Sequence, residues 1–331
     1  MVGSPLAAGY MIDRYVVDSV LGQGGFGITY RAYDPDHRLW VAIKEYFPQR
    51  WSIRDIDGSV MAAPESERDF RHNLNRFWEE AQLIAQFEHP YIVKVLRRIP
   101  FNGTAYIVLE FIEGGTLEKW ALTSPPPPPD AIECFAAALL DALETVHARN
   151  IWHRDIKPLN ILLRQDGMPV LIDFGSARED TGKAMTAMLS VQYGAYEQYS
   201  SAGVGLGPYT DIYGAAATLY RVLCGRPPLD AMSRAMAMDS AQHVPISQAL
   251  QGSYRQTFLE AIDWGLETFP DRRPQTVAQW RGPLLEGWPI PGGAGLQPQA
   301  SAPRPDSKAL MDWLRRPLNA ELTDHDETSQ W

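Results

Sequence analysis

The stretch His153-Arg154-Asp155-Ile156-Lys157-Pro158-Leu159-Asn160, followed thirteen residues after Asn160 by Asp173-Phe174-Gly175, decides how this chain is read. It sets a carboxylate, a lysine two residues on, a side-chain amide and a second carboxylate at fixed offsets, with the short apolar run Ile161-Leu162-Leu163 between them. A polar loop with ordinary caps and turns would need four unrelated coincidences to produce the same string.

Upstream, Leu21-Gly22-Gln23-Gly24-Gly25-Phe26-Gly27-Ile28-Thr29-Tyr30 holds Gly22, Gly24 and Gly27 at G-x-G-x-x-G spacing. Alone the spacing is weak, since glycine turns and dinucleotide folds also produce it. A dinucleotide site opens a helix at its glycines. Here Ile28 to Tyr33 is β-branched and aromatic and reads as a strand. Val41-Ala42-Ile43-Lys44 then ends an apolar strand on a lysine, a charge that is costly to bury unless matched. Phe70, Leu74, Phe77, Ala81 and Ile84 recur at spacings of four, three, four and three, one face of an amphipathic helix. At about 100° per residue, Glu79 falls opposite that stripe and Glu80 on its flank, so Glu80 is the carboxylate that turns inward.

Together these strings resemble the catalytic core of the eukaryotic-type (Hanks-type) serine/threonine protein kinases. Lys44-Glu45-Tyr46-Phe47-Pro48, Gly25-Phe26-Gly27-Ile28-Thr29-Tyr30 and Glu197-Gln198-Tyr199 resemble a bacterial subgroup of them. The resemblance implies an α+β, two-lobed fold over residues 12–287. A small antiparallel β-rich N-lobe with one helix would occupy about 12–113, and a larger, mainly helical C-lobe about 114–287. It implies transfer of the γ-phosphoryl group of ATP, with Mg²⁺ (Mn²⁺ as the alternative ion), to Ser/Thr hydroxyls of proteins, including autophosphorylation in a signalling role. On this reading Asp155 orients the acceptor hydroxyl and takes its proton, and Lys157 contacts the γ-phosphate. Asn160 and Asp173 ligate the metal, Lys44 holds the phosphates and Glu80 positions Lys44. Leu21, Gly22, Gly24, Gly25, Gly27, Thr29 and Ala42 line the nucleotide site with Lys44. Thr29 stands where the family usually has Val. Glu110 and Ile112 belong to the adenine-binding hinge, with Leu109 at the back of the pocket.

The resemblance also implies an activation segment from Asp173 to Glu197, with Thr186 and then Thr181 as candidate phosphorylation sites and Arg154 as the group that answers the phosphate. Ser190 falls where a substrate-contacting Thr is usual. Ala195-Tyr196-Glu197 departs from the usual Ala-Pro-Glu; Glu197 is expected to pair with Arg273, and Asp211 to hold the catalytic loop. Two other classes compete: a nucleotide-binding scaffold without turnover, and a kinase of small molecules. The first is disfavoured because every catalytic position is filled, the second because it usually lacks the glycine loop and the activation segment.

Several features fall outside the motifs. Lys44 and Glu80 lie 36 residues apart, longer than is usual for the resembled family. Asp57-Gly58 within the extra stretch signals a hairpin. This 45–62 insert is expected to pack on the small lobe as a contact for a regulatory partner, with a neutral extension as the alternative. His89-Pro90-Tyr91-Ile92-Val93 is expected to start a strand, Ala105 to Leu109 to form a buried one, and Gly114-Gly115 to turn into the large lobe. Pro125 to Pro129 reads as a stiff spacer. Asp130 and Glu133 then suggest a capping box opening a helix with Ile132, Phe135, Leu139, Leu143 and Val146 inward. Another helix is expected from Asp211 to Cys224, stopped by Gly225.

The chain has 331 residues, of which 45% are hydrophobic, enough for a sizeable core. A net charge of −10 speaks against a sequence-independent nucleic-acid surface. Cys134 and Cys224 fall in expected helices and read as buried small hydrophobes in a reducing compartment. No leader and no apolar run long enough for a bilayer is visible, so the expected location is cytoplasmic. Residues 288–331 read as a Pro/Gly-rich linker and tail with one short helix at 307–318, a second candidate contact for a regulatory partner.

Overall fold

In chain order the first half forms β1 (Met11–Ile12), β2 (Tyr15–Gln23), β3 (Gly27–Asp34), β4 (Leu39–Tyr46), β5 (Ser52–Arg54), β6 (Val60–Ala62), α1 (Glu67–Ile84), β7 (Val95–Phe101) and β8 (Thr104–Glu110). These are seen in a computed structural model that describes residues 5–175, 191–199, 205–236 and 244–287. Thr181, Thr186, Ser190 and the 288–331 tail with its expected 307–318 helix lie outside the described residues. Over the described residues the chain divides into two compact units. One comprises 5–113, 141–155 and 170–175, the other 114–140, 156–169, 191–199, 205–236 and 244–287.

The first unit is built on a six-stranded antiparallel sheet of order β1-β2-β3-β4-β8-β7. Strict alternation along β3 buries Ile28, Tyr30, Ala32 and Asp34, the half-buried pattern expected of a pleated strand. On β4 the same period buries Val41, Ile43 and Glu45 and leaves Ala42 and Lys44 on the other face. Helix α1 buries Phe70, Phe77, Glu80, Ala81 and Ile84, with Leu74 half-buried and Glu79 exposed. Tyr46 ties this helix to β4. Its ring lies 5.2 Å from Phe70 and 5.6 Å from Phe77, and its hydroxyl donates to Phe70 O at 2.9 Å.

The insert forms the expected hairpin, β5 pairing antiparallel with β6 and Gly58 at φ 90° in the turn. It is bound firmly to the sheet. Val60 N–H donates to Asn102 O (2.7 Å), Tyr10 Oη donates to Asp57 O (3.0 Å), and Arg54 pairs with the fully buried Glu45 at 2.6 Å. Tyr30 and Tyr106 also donate to Glu45, each at 2.8 Å. A neutral surface extension would not supply the counter-charge of a core carboxylate.

One expectation fails here: β7 begins at Val95, not in the His89–Val93 run. Pro90 has no N–H to give a ladder. Tyr91 N–H turns back to His89 Nδ1 (3.3 Å), and Ile92 makes only an isolated bridge to Leu171.

From Gly114 the chain is mainly helical: α2 (Leu117–Thr123), α3 (Pro129–His147), β9 (Ile161–Leu163), β10 (Pro169–Leu171), α4 (Pro208–Cys224), α5 (Ala231–Ala235), α6 (Ile246–Ala249), α7 (Gln256–Gly265) and α8 (Val277–Arg281). The five inward residues expected on α3 are all buried. The capping box is not formed. The helix starts one residue early, with Pro129 in the first turn, where its missing N–H costs nothing. Glu133 instead meets Arg255 at 3.1 Å. Likewise α4 starts at Pro208, three residues before Asp211, and ends at Gly225 with φ 69°. Gly265, the last residue of α7, lets that helix close on α4 and α8. A Cβ on Gly265 would meet Ala216 Cβ at 2.9 Å and the Trp280 ring at 3.0 Å. Cys134 and Cys224 lie on helices but are half-buried, not fully buried as expected, and no disulfide links them. A β-rich first unit and a mainly helical second agree with the α+β expectation.

Candidate active site

The glycine string lies on a hairpin. Gly22 pairs with Thr29 and Gln23 with Ile28, and Gly24 N–H donates to Gly27 O at 2.9 Å. The glycines are not equivalent. A Cβ on Gly22, Gly24 or Gly25 would meet nothing within 4 Å, whereas one on Gly27 would collide with the carbonyl oxygen of Glu45. Gly27 is therefore required by the sheet itself, while the space beside the Cα atoms of the other three is open. Gly27→Ala is expected to lower unfolding free energy by roughly 1–3 kcal/mol, and Gly24→Ala to stay within about 1 kcal/mol of wild type. Urea melts of the two variants check this; equal shifts would contradict it.

On one face of the sheet, Thr29 pairs with Lys44 and Lys44 with Ile107, and in the next row Ala42 pairs with Leu109. Leu21, at the end of β2, is exposed. At the end of β8, Glu110 is committed to its neighbour strand. Its N–H donates to Lys94 O and its carboxylate accepts from Lys94 N–H, both at 3.0 Å. Ile112 follows, buried.

Lys44 Nζ lies 2.9 Å from Glu80 Oε1 and 2.9 Å from Asp173 Oδ1. Burial alone draws the lysine amine down, but Asp173 and Glu80 outweigh it and the net shift is upward, so the amine stays a cation. Burial pushes Glu80 up; Lys44 opposes this and Asp173 adds to it, leaving Glu80 raised. Gly175 permits the approach, since a Cβ there would sit 3.2 Å from Glu80 Oε2 and 3.4 Å from Asp173 Oδ1.

Asp173 adopts φ 63° and Arg154 φ 66°. Such left-handed conformations are uncommon for residues with side chains and concentrate at functional sites. The two segments are fastened together by fully buried His153. Its Nε2 is 3.0 Å from Ile172 O. A carbonyl only accepts, so the proton sits on Nε2 and Nδ1 is left to accept from Asp155 N–H at 3.4 Å. Phe174 is buried between His153 (4.6 Å) and Phe87 (5.9 Å).

In the second unit, Lys157 precedes the 3₁₀ turn Pro158–Asn160, and Asn160 N–H donates to Lys157 O at 2.9 Å; the Asn160 side chain is buried. Glu197 and Arg273 form a two-pronged pair, both contacts 2.8 Å, with neither side chain exposed. Arg273 also donates to the carbonyls of Tyr209, Glu267 and Thr268, and Glu197 accepts from Thr210. Tyr196, in the place of the usual proline, sets its ring edge-on to Phe269 at 5.4 Å. Asp211 is buried.

Two contacts escaped sequence reasoning, Glu45 with Arg54 and Phe26 with Trp51. The first had a signal: alternation along Val41-Ala42-Ile43-Lys44-Glu45 puts Glu45 inward, and a buried carboxylate demands a partner. The second brings loop residues together and has no periodic signature.

The family described as protein kinase domain matches residues 15–281. The DNA damage-responsive serine/threonine-protein kinase RqkA of Deinococcus radiodurans is 31% identical over 283 residues, 83% of this chain and 40% of that protein. Serine/threonine-protein kinase PknB of Mycolicibacterium smegmatis is 32% identical over 289 residues, 83% of this chain and 43% of that protein. Serine/threonine-protein kinase PknJ of Mycobacterium tuberculosis is 33% identical over 248 residues, 72% and 38% of the two chains. The chain thus spans less than half the length of these curated relatives. A solved structure titled PpkA-294 apo form matches with TM-score 0.76 and 34% identity, covering 85% of this chain and all of that one. No helix among the described residues is long and apolar enough to cross a membrane. The fold, a curled antiparallel sheet followed by a mainly helical lobe, is the protein kinase fold, and the chain belongs to the protein kinase domain family.

Proposed function

We propose that this chain is a serine/threonine protein kinase, with residues 12–287 as its kinase domain and 288–331 as a linker and tail. The observation that carries the reading is the joined set Lys44, Glu80 and Asp173, with Lys44 held as a cation between two carboxylates. An active kinase needs this lysine–glutamate pair in place.

The family uses ATP and a divalent metal ion, and the residues present suit both. Three glycines open to space and a permanent cation fit a polyanion. The amide oxygen of Asn160 and the carboxylate of Asp173 are hard oxygen donors that suit Mg²⁺, with Mn²⁺ as the alternative. When bound, the ion neutralises phosphate charge. Lys44 holds the α/β-phosphates, and Glu80 keeps Lys44 aimed. Asp155 orients the acceptor hydroxyl and receives its proton as the new oxygen–phosphorus bond forms and ADP departs. Lys157 sets positive charge beside the γ-phosphoryl group. Because Glu110 N–H is already committed to Lys94, the backbone donor to the purine edge falls to Ile112. Thr186 or Thr181 receives an activating phosphate, answered by Arg154. The surroundings are cytoplasmic and the partners are proteins, not nucleic acid.

A small-molecule kinase would share the Asp155, Asn160 and Asp173 chemistry but usually lacks the glycine loop, which here forms a hairpin. Offering Mg-ATP with a generic protein acceptor, and separately with choline and aminoglycosides, distinguishes them. Phosphate on Ser or Thr of protein alone is expected; transfer to the small molecules alone would overturn the reading.

A further inference from the structure

The glycine loop is gripped from one side by the segment that enters the insert. Phe47 N–H donates to Phe26 O at 3.1 Å, Gln49 N–H to Gly25 O at 3.2 Å, and the Gln49 side-chain amide to Gly24 O at 3.5 Å. The Trp51 ring meets the Phe26 ring edge-on, centroids 5.8 Å apart at 73°. Phe26 is 42% exposed, and Trp51 is its only aromatic neighbour among the described residues.

The gripping side is itself immobilised. Trp51 N–H donates to Pro48 O (2.9 Å), Ser52 Oγ to the same oxygen (2.7 Å), and Ala63 N–H to Trp51 O (2.8 Å). Phe47 is fully buried beneath the Arg54 guanidinium, 4.4 Å from its ring centre. Arg54 in turn is locked to Glu45. A loop with no side chains at Gly24 and Gly25 has wide conformational freedom of its own, and this segment removes it.

The hydrogen bonds have an electrostatic consequence as well. The carbonyls of Gly25 and Phe26 are spent on Gln49 and Phe47, so these two acceptor oxygens are held away from an anionic ligand. Loop order before binding lowers the entropy lost on binding.

We propose that Phe47 to Trp51 is a built-in clamp that presets the glycine loop for a nucleoside triphosphate, with Trp51 as a positioning residue. The proposal rests on the kinase reading above. It gives the insert a role in nucleotide affinity in addition to its role in the core.

The test is calorimetric titration of Mg-ATP and of adenosine into wild type, Trp51→Ala, Phe26→Ala, the double variant and Trp51→Phe. An aromatic pair of ordinary strength sets the scale: Trp51→Ala is expected to weaken Mg-ATP roughly two- to tenfold. Adenosine, which has no phosphates for the loop to cover, is expected to bind unchanged. The double variant is expected to be no worse than either single one, because both remove the same contact, and Trp51→Phe to recover most of the loss. The exposed Phe26 ring makes Phe26→Ala informative even where Trp51→Ala folds poorly. Unchanged Mg-ATP affinity, equal weakening for adenosine, or additive single effects would each overturn the clamp. Wild type that binds neither ligand would instead sink the kinase reading and the clamp with it.

Discussion

Lys44→Met lowers the rate of phosphoryl transfer by roughly 10²–10³-fold, the usual loss when one preorganised charged group is removed from a site of developing charge, while the protein remains folded. The lysine amine is the shared partner of Glu80 and Asp173. Its removal leaves two carboxylates together, one of them buried. Burial and Asp173 both push Glu80 toward its protonated form, and the opposing pull of Lys44 is lost. Losing that pull moves Glu80 further upward and makes its charge easier to give up, which limits the cost to stability. Asp173 is also about half exposed, so its charge stays hydrated. Asp155→Asn is the companion change. It keeps the shape but not the basicity, and a general base contributes about 10²–10⁴-fold. Initial rates with saturating Mg-ATP measure both; wild-type rates in either variant would show that the roles are wrongly assigned.

Arg54→Ala is expected to destabilise the protein by about 3–5 kcal/mol, the range for stripping one partner from a buried ion pair. The Arg54 side chain is 7% exposed and Glu45 is not exposed at all. Burial, with Glu45 adding to it, pushes the Tyr30 and Tyr106 hydroxyls up, so both remain neutral donors. They hydrogen-bond Glu45 but bring no charge to balance it. Without Arg54 the buried Glu45 side chain loses a partner that the two hydroxyls do not replace. Chemical denaturation reads the effect directly. A loss under about 1 kcal/mol would place this pair with ordinary surface ion pairs and return the insert to a dispensable extension.

Much of this was legible from local rules. The helical period through Phe70, Phe77 and Ala81 was enough to select Glu80 over Glu79 as the inward carboxylate. Asp57-Gly58 marked the hairpin turn because few residues tolerate its backbone. Element starts were less legible. Proline at the first helical position moved α3 and α4 upstream of the acidic residues expected to open them, and Tyr91 closed a turn on His89 where a strand was expected. The Glu45–Arg54 pair and the Phe26–Trp51 contact were missed for a different reason. Each joins residues from separate segments, and local propensity carries no record of which side chains tertiary packing brings together. The family resemblance supplied the remaining roles, of Asp155, Lys157 and Asn160, which geometry alone does not distinguish from those of other polar loop residues.

The most direct test of the central claim is to incubate the purified wild-type protein and Asp155→Asn with Mg-ATP and a generic protein acceptor and to map phosphate by mass spectrometry. Phosphoserine or phosphothreonine in the wild-type reaction, on the acceptor or on Thr186 or Thr181, and none with Asp155→Asn, is the predicted result. No phosphate in either reaction, or equal phosphate in both, would contradict a kinase that works through Asp155.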